Sequence, residues 1–188
     1  MNLIIFGPPG AGKGTQANFI VKKFNLYQLS TGELLRNEIK KKTKLGSEIS
    51  SIINLGSLVS DDIVKKLVEN FISDEKYKDR FVFDGYPRNL IQAETLNELL
   101  KNYGQKVDLV FKLSVPLETI KKRISERRTL EKRADDIEKV AIKRYETYEK
   151  STEPVIEYYK RSNLLKVIDG DRPIDQINKE ISDIINLI

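Results

Sequence analysis

The chain has 188 residues, enough for one substantial core and too few for two ordinary domains, so it is expected to form a single domain over 1–188 with functional insertions. It contains no cysteine and no histidine, which excludes disulfides, thiolate–imidazole zinc sites, histidine bases and cysteine nucleophiles. Its 33 basic residues against 28 acidic ones leave a net charge of +5, a mixed surface that suits anionic small molecules as well as nucleic acid.

No run approaches the length of a membrane span, and the N-terminus begins at once with a core-type strand rather than a charged, cleavable leader. A cytoplasmic protein without membrane contact is expected. Apolar runs at 3–6, 26–29, 81–83, 109–113 and 164–168 alternate with segments of helical spacing. That alternation predicts an α/β fold, a doubly wound parallel sheet of five strands flanked by helices. Such sheets bind ligands beyond the carboxyl ends of their strands.

The first apolar run, Leu3 to Phe6, passes directly into Gly7-Pro8-Pro9-Gly10-Ala11-Gly12-Lys13-Gly14-Thr15, and a helical pattern of Ala17, Ile20, Val21 and Phe24 follows. Strand, glycine-rich loop and helix together let successive backbone N–H groups converge on an anion. The helix adds the positive end of its dipole and Lys13 a full charge, so the stretch predicts a cradle for a phosphate chain. The usual phosphate-loop pattern has Ser or Thr after the lysine; here Gly14 fills that position and Thr15 comes one residue late. A dinucleotide fingerprint fails, because Thr15 stands where a third glycine is required.

After the second strand, Ser30-Thr31-Gly32-Glu33 reads as a capping box opening a helix with Leu34, Leu35 and Ile39. Arg36 lies in its first turns, either as a plain surface arginine or as part of an anion site. From Arg36 to Asp62 the sequence is polar, with short apolar patterning at Leu45, Ile49, Ile52, Ile53 and Leu55, and predicts a small helical insertion. Ser60 is placed to cap the next helix, whose stripe is Ile63, Leu67, Val68 and Phe71.

The third strand ends in Asp84-Gly85-Tyr86-Pro87-Arg88. An aspartate at the end of a buried strand is expensive to desolvate unless a cation is near, and Mg²⁺ on phosphates at the glycine loop would supply one. Arg88 and Gln92, four residues apart, are expected on one helical face, the first suited to phosphate and the second to a base edge.

Beyond the fourth strand, Pro116 opens a helix carrying Lys121, Lys122, Arg123, Arg127 and Arg128, with Lys132 and Arg133 after it. Such a run reads as a solvated face, a nucleic-acid patch or a phosphate clamp; the absence of aromatics counts against single-strand binding. A helix from near Asp136 has Ile137, Val140, Ala141, Tyr145 and Tyr148 along one stripe, with Arg144 beside it. A half-buried arginine needs an anion. Either Asp135 and Asp136 tie up these arginines in an internal network, or the arginines form a cage over transferring phosphates. The last strand runs into Asp169-Gly170-Asp171-Arg172, and a closing helix repeats Ile174, Ile177, Ile181, Ile184, Ile185 and Ile188, predicted as core.

These motifs resemble the adenylate kinase family of the nucleoside monophosphate kinases along essentially the whole chain. The resemblance rests on residues 7–16, on Leu29 to Arg36, on Gly56-Ser57-Leu58-Val59, on Asp84 to Arg88 with Gln92, on Arg133 to Asp136, on Arg144 and on Asp169-Gly170. The delayed Thr15 is the form this family uses.

The resemblance implies a P-loop nucleoside-kinase fold and a reversible Mg²⁺-dependent transfer of phosphate from ATP to AMP. By it, Gly10, Ala11, Gly12, Lys13, Gly14 and Thr15 bind the ATP phosphates, with Arg123, Arg127 and Arg172 also on the ATP side. Thr31, Arg36, Ser57, Leu58, Val59, Gly85, Tyr86, Pro87, Arg88, Gln92, Arg133 and Arg144 fall on the AMP side. Lys13, Arg88, Arg123, Arg127, Arg133 and Arg144 carry catalysis, and Asp84 holds Mg²⁺ through water.

Residues 30–59 correspond to the monophosphate-binding insertion and 127–137 to a short lid. Only Thr129 to Lys132 join Arg128 to Arg133, so no structural zinc is expected. Asn89 also occurs in uridylate/cytidylate kinases, but Thr31 and Gln92 are the adenine-type choices. A P-loop nucleotide switch and a nucleic-acid-binding module are the readings from other classes; no Asn-Lys-x-Asp guanine-reading motif exists, since Asn178-Lys179 is followed by Glu180-Ile181. A monomer acting on small nucleotides is expected.

Overall fold

The computed structural model describes residues 1–131 and 136–188. Its sheet is all-parallel and five-stranded, in the order β2-β3-β1-β4-β5, with β1 Leu3–Phe6, β2 Tyr27–Ser30, β3 Phe81–Asp84, β4 Leu109–Ser114 and β5 Leu165–Asp169. The central strands are buried on both faces, which is why they read as unbroken apolar runs. Alternation sorts their side chains. Ile4, Phe6, Phe81, Phe83 and Val110 face one layer, whereas Leu3, Ile5, Val82, Leu109 and Phe111 face the other.

The first layer is built on α4 (Asp61–Ile72), α5 (Leu90–Asn102) and α8 (Glu153–Arg161), which contribute Val64, Val68, Leu96, Leu100, Val155 and Tyr159. The second is built on α1 (Lys13–Phe24) and α9 (Ile174–Ile185), through Ala17, Ile20, Ile177, Ile181 and Ile185. The closing isoleucine stripe is core only in part: Ile174 and Ile188 are exposed, because they lie at or past the helix ends, beyond the sheet.

Between β2 and β3 lie α2 (Thr31–Lys40) and α3 (Lys44–Asn54), packed on each other ahead of α4. Ser30 caps α2 by accepting from the Glu33 N–H at 3.4 Å. Ser60 stands at the N-cap of α4, but its side chain makes no capping bond, contrary to the expectation. Within the insertion Ile49 is buried, whereas Leu55 points to solvent.

After β4 come α6 (Leu117–Glu131) and α7 (Glu138–Ser151), and α7 packs Tyr148 against the first layer. Ile137 is not part of the α7 stripe; it is the residue before the helix and is exposed. A break at Thr152 separates α7 from α8, whose second residue is Pro154. Arg133 and Asp135 lie outside the described residues.

Candidate active site

The carboxyl ends of β1, β3, β4 and β5 open into a cleft of about 700 Å³, lined among others by Gly10 to Thr15, Asp84, Gly85, Arg88, Arg123, Arg127 and Arg144. Strand register brings these ends together: Asp84 pairs with Ile5 on one side and Ser30 on the other, and Ser114 pairs with Asp169. The glycine loop turns at Gly10 and Gly12, with φ of +84° and +94°, a backbone open to glycine at little cost. At Gly10 a side chain would also meet Ile124 at 3.0 Å and the Ile120 carbonyl at 3.2 Å, so α6 closes directly on the loop.

Lys13 is the first residue of α1, and its ammonium folds back to donate to the Gly7 and Pro8 carbonyls at 2.7 and 3.0 Å. Burial lowers its pKa to about 8; Asp84 opposes that shift, and Arg88, Arg144 and Arg127 reinforce it. A lysine held among three arginines is a strong attractor for phosphate. Asp84 accepts from Gln28 Nε2 at 3.0 Å, and its Oδ2 lies 4.0 Å from where a side chain on Gly14 would begin. Gly14 therefore leaves open the space between the helix start and the carboxylate.

Across the cleft, Arg36 and Arg88 meet over Gly32: a side chain on that glycine would find Arg36 Nη1 at 3.2 Å and Arg88 Nη2 at 3.6 Å. Arg88 Nε and the buried Thr31 hydroxyl both donate to the Gly85 carbonyl, at 2.7 and 2.8 Å. A small pocket of about 20 Å³ beside them is lined by Thr31, Leu35, Leu58, Val59, Val64, Gly85, Arg88 and Gln92. Arg88 and Gln92 do not share a helical face, since α5 starts at Leu90; instead the Arg88 backbone N–H donates to Gln92 Oε1 at 2.8 Å. The loop brings the two together by a turn rather than by helical spacing.

The arginines of α6 and α7 meet at one carboxylate. Asp136 is fully buried; it accepts from Arg127 Nε and Nη2 at 2.7 and 2.6 Å and from Arg144 Nη1 at 3.1 Å. In this state the internal ion-pair network is realised, on the edge of the cleft. Arg123 donates to the Gly170 carbonyl at 3.0 Å and reaches the Ala11 carbonyl at 3.5 Å, joining the loop to the end of β5. Arg172 lines the cleft and pairs with Glu180 on α9.

Two sequence-derived site residues sit apart from the clefts in their side chains. Ser57 is exposed and lines none of the pockets described, and the Tyr86 ring is buried in the core with its hydroxyl lacking a partner among the described residues. Pro87 lines a separate 80 Å³ pocket that also touches Lys13, Leu58, Arg88 and Arg144. Residues that sequence reasoning missed are Gln28, which holds Asp84, and Asn89 and Asp61, which hold Gln92. Asn89 to Gln92 has the N-cap-to-N3 spacing of a capping motif, a signal open to detection. Nothing local marks Gln28 or Asp61.

A parallel α/β sheet with a glycine-rich phosphate cradle and a second cationic pocket facing it defines a P-loop phosphotransferase of the nucleoside monophosphate kinase class. Residues 5–164 match the family model described as adenylate kinase. Similar curated proteins are the adenylate kinase of Pelagibacter ubique, 44% identical over 213 aligned positions covering 100% of both chains, and that of Fusobacterium nucleatum, 41% identical over 203 positions and 96% of each. The adenylate kinase of Prochlorococcus marinus is 44% identical over 181 positions, again 96% of each chain. The chain belongs to the adenylate kinase family. The Pelagibacter alignment has more positions than this chain has residues, so that relative carries extra segments; the Prochlorococcus alignment is shorter than the chain. Among the described residues no helix is long and apolar enough to cross a membrane.

Proposed function

We propose that this chain transfers the terminal phosphoryl group of Mg²⁺-bound ATP to AMP, reversibly, giving two ADP. The observation that carries the reading is the pairing of two anion sites across one 700 Å³ cleft: the glycine loop with Lys13 on one side, and Arg36, Arg88 and the Thr31–Gln92 pocket on the other. A switch that only reads its bound nucleotide has no use for the second.

Gly10 to Thr15 hold the donor phosphates through backbone N–H groups, and Lys13 swings from the loop carbonyls to the β and γ oxygens. Arg123, already on the loop at Ala11, flanks the donor, and the Arg172 backbone lies beside its base. Asp84 offers a single carboxylate toward the loop, a donor set that fits Mg²⁺, which takes one or two carboxylates and otherwise phosphate and water. Bound there, the ion neutralises charge on the transferring phosphates.

The acceptor phosphate lies between Arg36, Arg88 and Arg144, and its base enters the pocket of Thr31, Leu58, Val59, Gly85 and Gln92. Ser57, Tyr86 and Pro87 contribute through the backbone. The reaction needs alignment and charge stabilisation rather than a base, because the attacking phosphate is already anionic. Arg127 and Arg144 leave Asp136 for the moving phosphoryl group, and Arg133 joins them from outside the described residues. Residues 30–59 act as the mobile acceptor-binding unit and 127–137 as a short lid that excludes water.

Asn89 supports no shift toward pyrimidine acceptors, since its amide is used to cap α5 and to bind Asp61. A cytoplasmic monomer is part of the proposal. The test offers Mg²⁺-ATP with AMP, CMP, UMP or GMP separately and follows ADP. AMP is expected to be the strongly preferred acceptor; equal rates with CMP or UMP, or no acceptor-dependent transfer, would overturn the reading.

A further inference from the structure

Gln92 is buried and faces the small acceptor pocket, and its terminal amide is held from both ends. Its Oε1 accepts from the Arg88 backbone N–H at 2.8 Å, and its Nε2 donates to Asp61 Oδ1 at 2.7 Å. The same Asp61 oxygen accepts from Asn89 Nδ2 at 2.9 Å, while Asn89 Oδ1 accepts from the Gln92 backbone N–H at 2.8 Å. A carboxylate oxygen can only accept and a backbone N–H can only donate, so the two partners agree on one orientation of the amide. Rotating it by 180° would set N–H against N–H and oxygen against oxygen.

One N–H and one lone pair of the Gln92 amide remain for a ligand. Held this way, the pair complements an edge with an amine donor beside a ring acceptor, as in a 6-aminopurine, and opposes the reversed edge of a 6-oxopurine. Resting on the reading of Gln92 as the base-facing residue, we propose that Asp61 is the specificity-setting positioning residue of the acceptor site: from the first turn of α4 it fixes the Gln92 amide so that 6-amino purines are accepted and 6-oxo purines refused. Asp61 acts through Gln92, since it does not line the small pocket that Gln92 faces. Its carboxylate sits at the N-terminus of α4, where negative charge is favoured, so its presence there adds no strain of its own. The position also ties the return of the 30–59 insertion to the base-reading side chain.

The measurement is kcat and KM for AMP and for IMP, which differ only at the edge in question, with Mg²⁺-ATP as donor. In Asp61→Ala the AMP:IMP ratio of kcat/KM is expected to fall several-fold, chiefly through a higher KM for AMP, because the amide is then held only at Oε1 by the Arg88 N–H and its Nε2 loses the partner that aligns it with the base edge. The KM for ATP and the kcat with AMP are expected to stay within a few fold. Asp61→Ser, compatible with a helix start but too short to reach Gln92, gives the same result should the alanine variant fold poorly. Asp61→Asn, whose oxygen can still accept from Gln92 and Asn89, is expected to restore most of the ratio.

An unchanged ratio in Asp61→Ala and Asp61→Ser, with the ratio lowered in Gln92→Ala, overturns the role of Asp61 and leaves the reading of Gln92 intact. An unchanged ratio in Gln92→Ala overturns that reading and the inference with it. Parallel losses in ATP KM, AMP KM and kcat reduce Asp61 to a general structural role and equally overturn the proposal.

Discussion

Arg127 lays its guanidinium against Asp136 with two parallel hydrogen bonds of 2.7 and 2.6 Å, and the carboxylate it meets is fully buried. Arg144 reaches the same carboxylate from α7. One acidic side chain therefore gathers two cleft-lining cations from successive helices.

Removing that acid takes a charge-assisted hydrogen-bond partner from two half-buried guanidinium groups, and losing such bonds costs on the order of 1.5–3 kcal/mol. Asp136→Ala is expected to lower the melting temperature markedly, and the loss is expected to be offset by a bound bisubstrate analogue, whose phosphates resupply the negative charge. Thermal unfolding with and without the analogue reads both. A variant as stable as the parent, or one that the analogue protects no more than the parent, would contradict the role given to Asp136.

Lys13 sets a pH dependence whose sign follows from the direction of its shift. Its pKa in the folded chain is lowered from 10.5 to about 8, so between those values the unfolded chain holds a proton that the folded one has released. The contribution of this group to stability therefore rises with pH through that window, and below about 8 the cost of burying the ammonium is fully present. Denaturation at pH 7 and at pH 9.5 is expected to show the parent gaining on Lys13→Met at the higher pH.

Phosphate reverses the shift, because a polyanion beside Lys13 favours the ammonium. ATP binding above pH 8 is thus expected to take up a proton, and affinity to fall as pH climbs past that point. Calorimetry at pH 9 in buffers of different ionisation enthalpy measures the uptake, which should vanish in Lys13→Met. The same variant is expected to lose turnover by orders of magnitude with the fold retained; a near-parental rate would remove Lys13 from the chemistry.

The central strands β1, β3 and β4 were legible because buried parallel strands are nearly continuous apolar runs, the half-exposed edge strands β2 and β5 showed as runs set one residue early, and Gly10, Gly12 and Lys13 were legible because a phosphate cradle needs those residue types in sequence. What escaped was everything decided by tertiary contact. Arg88 to Gln92 has helical spacing, yet Asn89 takes the N-cap and starts the helix at Leu90, so the pair meets through a backbone N–H. Asp61 has an ordinary helix-start sequence, and only the packing of α4 on α5 puts it beside Gln92. The break at Thr152 was hidden by the near-continuous helical pattern of α7 and α8; the Thr152 hydroxyl is spent on the Arg88 carbonyl at 2.9 Å.

Two glycines separate fold from chemistry. Gly46 lies in α3 directly on α2, where a side chain would meet the Glu38 carbonyl oxygen at 2.2 Å and the Ile39 nitrogen at 2.7 Å, both backbone atoms. Gly46→Ala must push the two helices apart, and such overpacking costs about 1–3 kcal/mol. Gly14, by contrast, sits in the first turn of α1 with only Asp84 Oδ2 near, at 4.0 Å. There alanine fits and favours the helix by up to about 1 kcal/mol, but its methyl group projects toward the Asp84 carboxylate. Gly46→Ala is expected to raise the KM for AMP while sparing that for ATP, because the strain stays within the insertion proposed to hold the acceptor. Gly14→Ala is expected to be at least as stable as the parent, to lose turnover, and to need more Mg²⁺ for half-maximal rate. Steady-state kinetics over AMP, ATP and Mg²⁺ concentrations, with melting curves for both variants, distinguish the two outcomes; a Gly14→Ala enzyme with parental Mg²⁺ dependence would show that the gap beside Asp84 holds nothing the reaction uses.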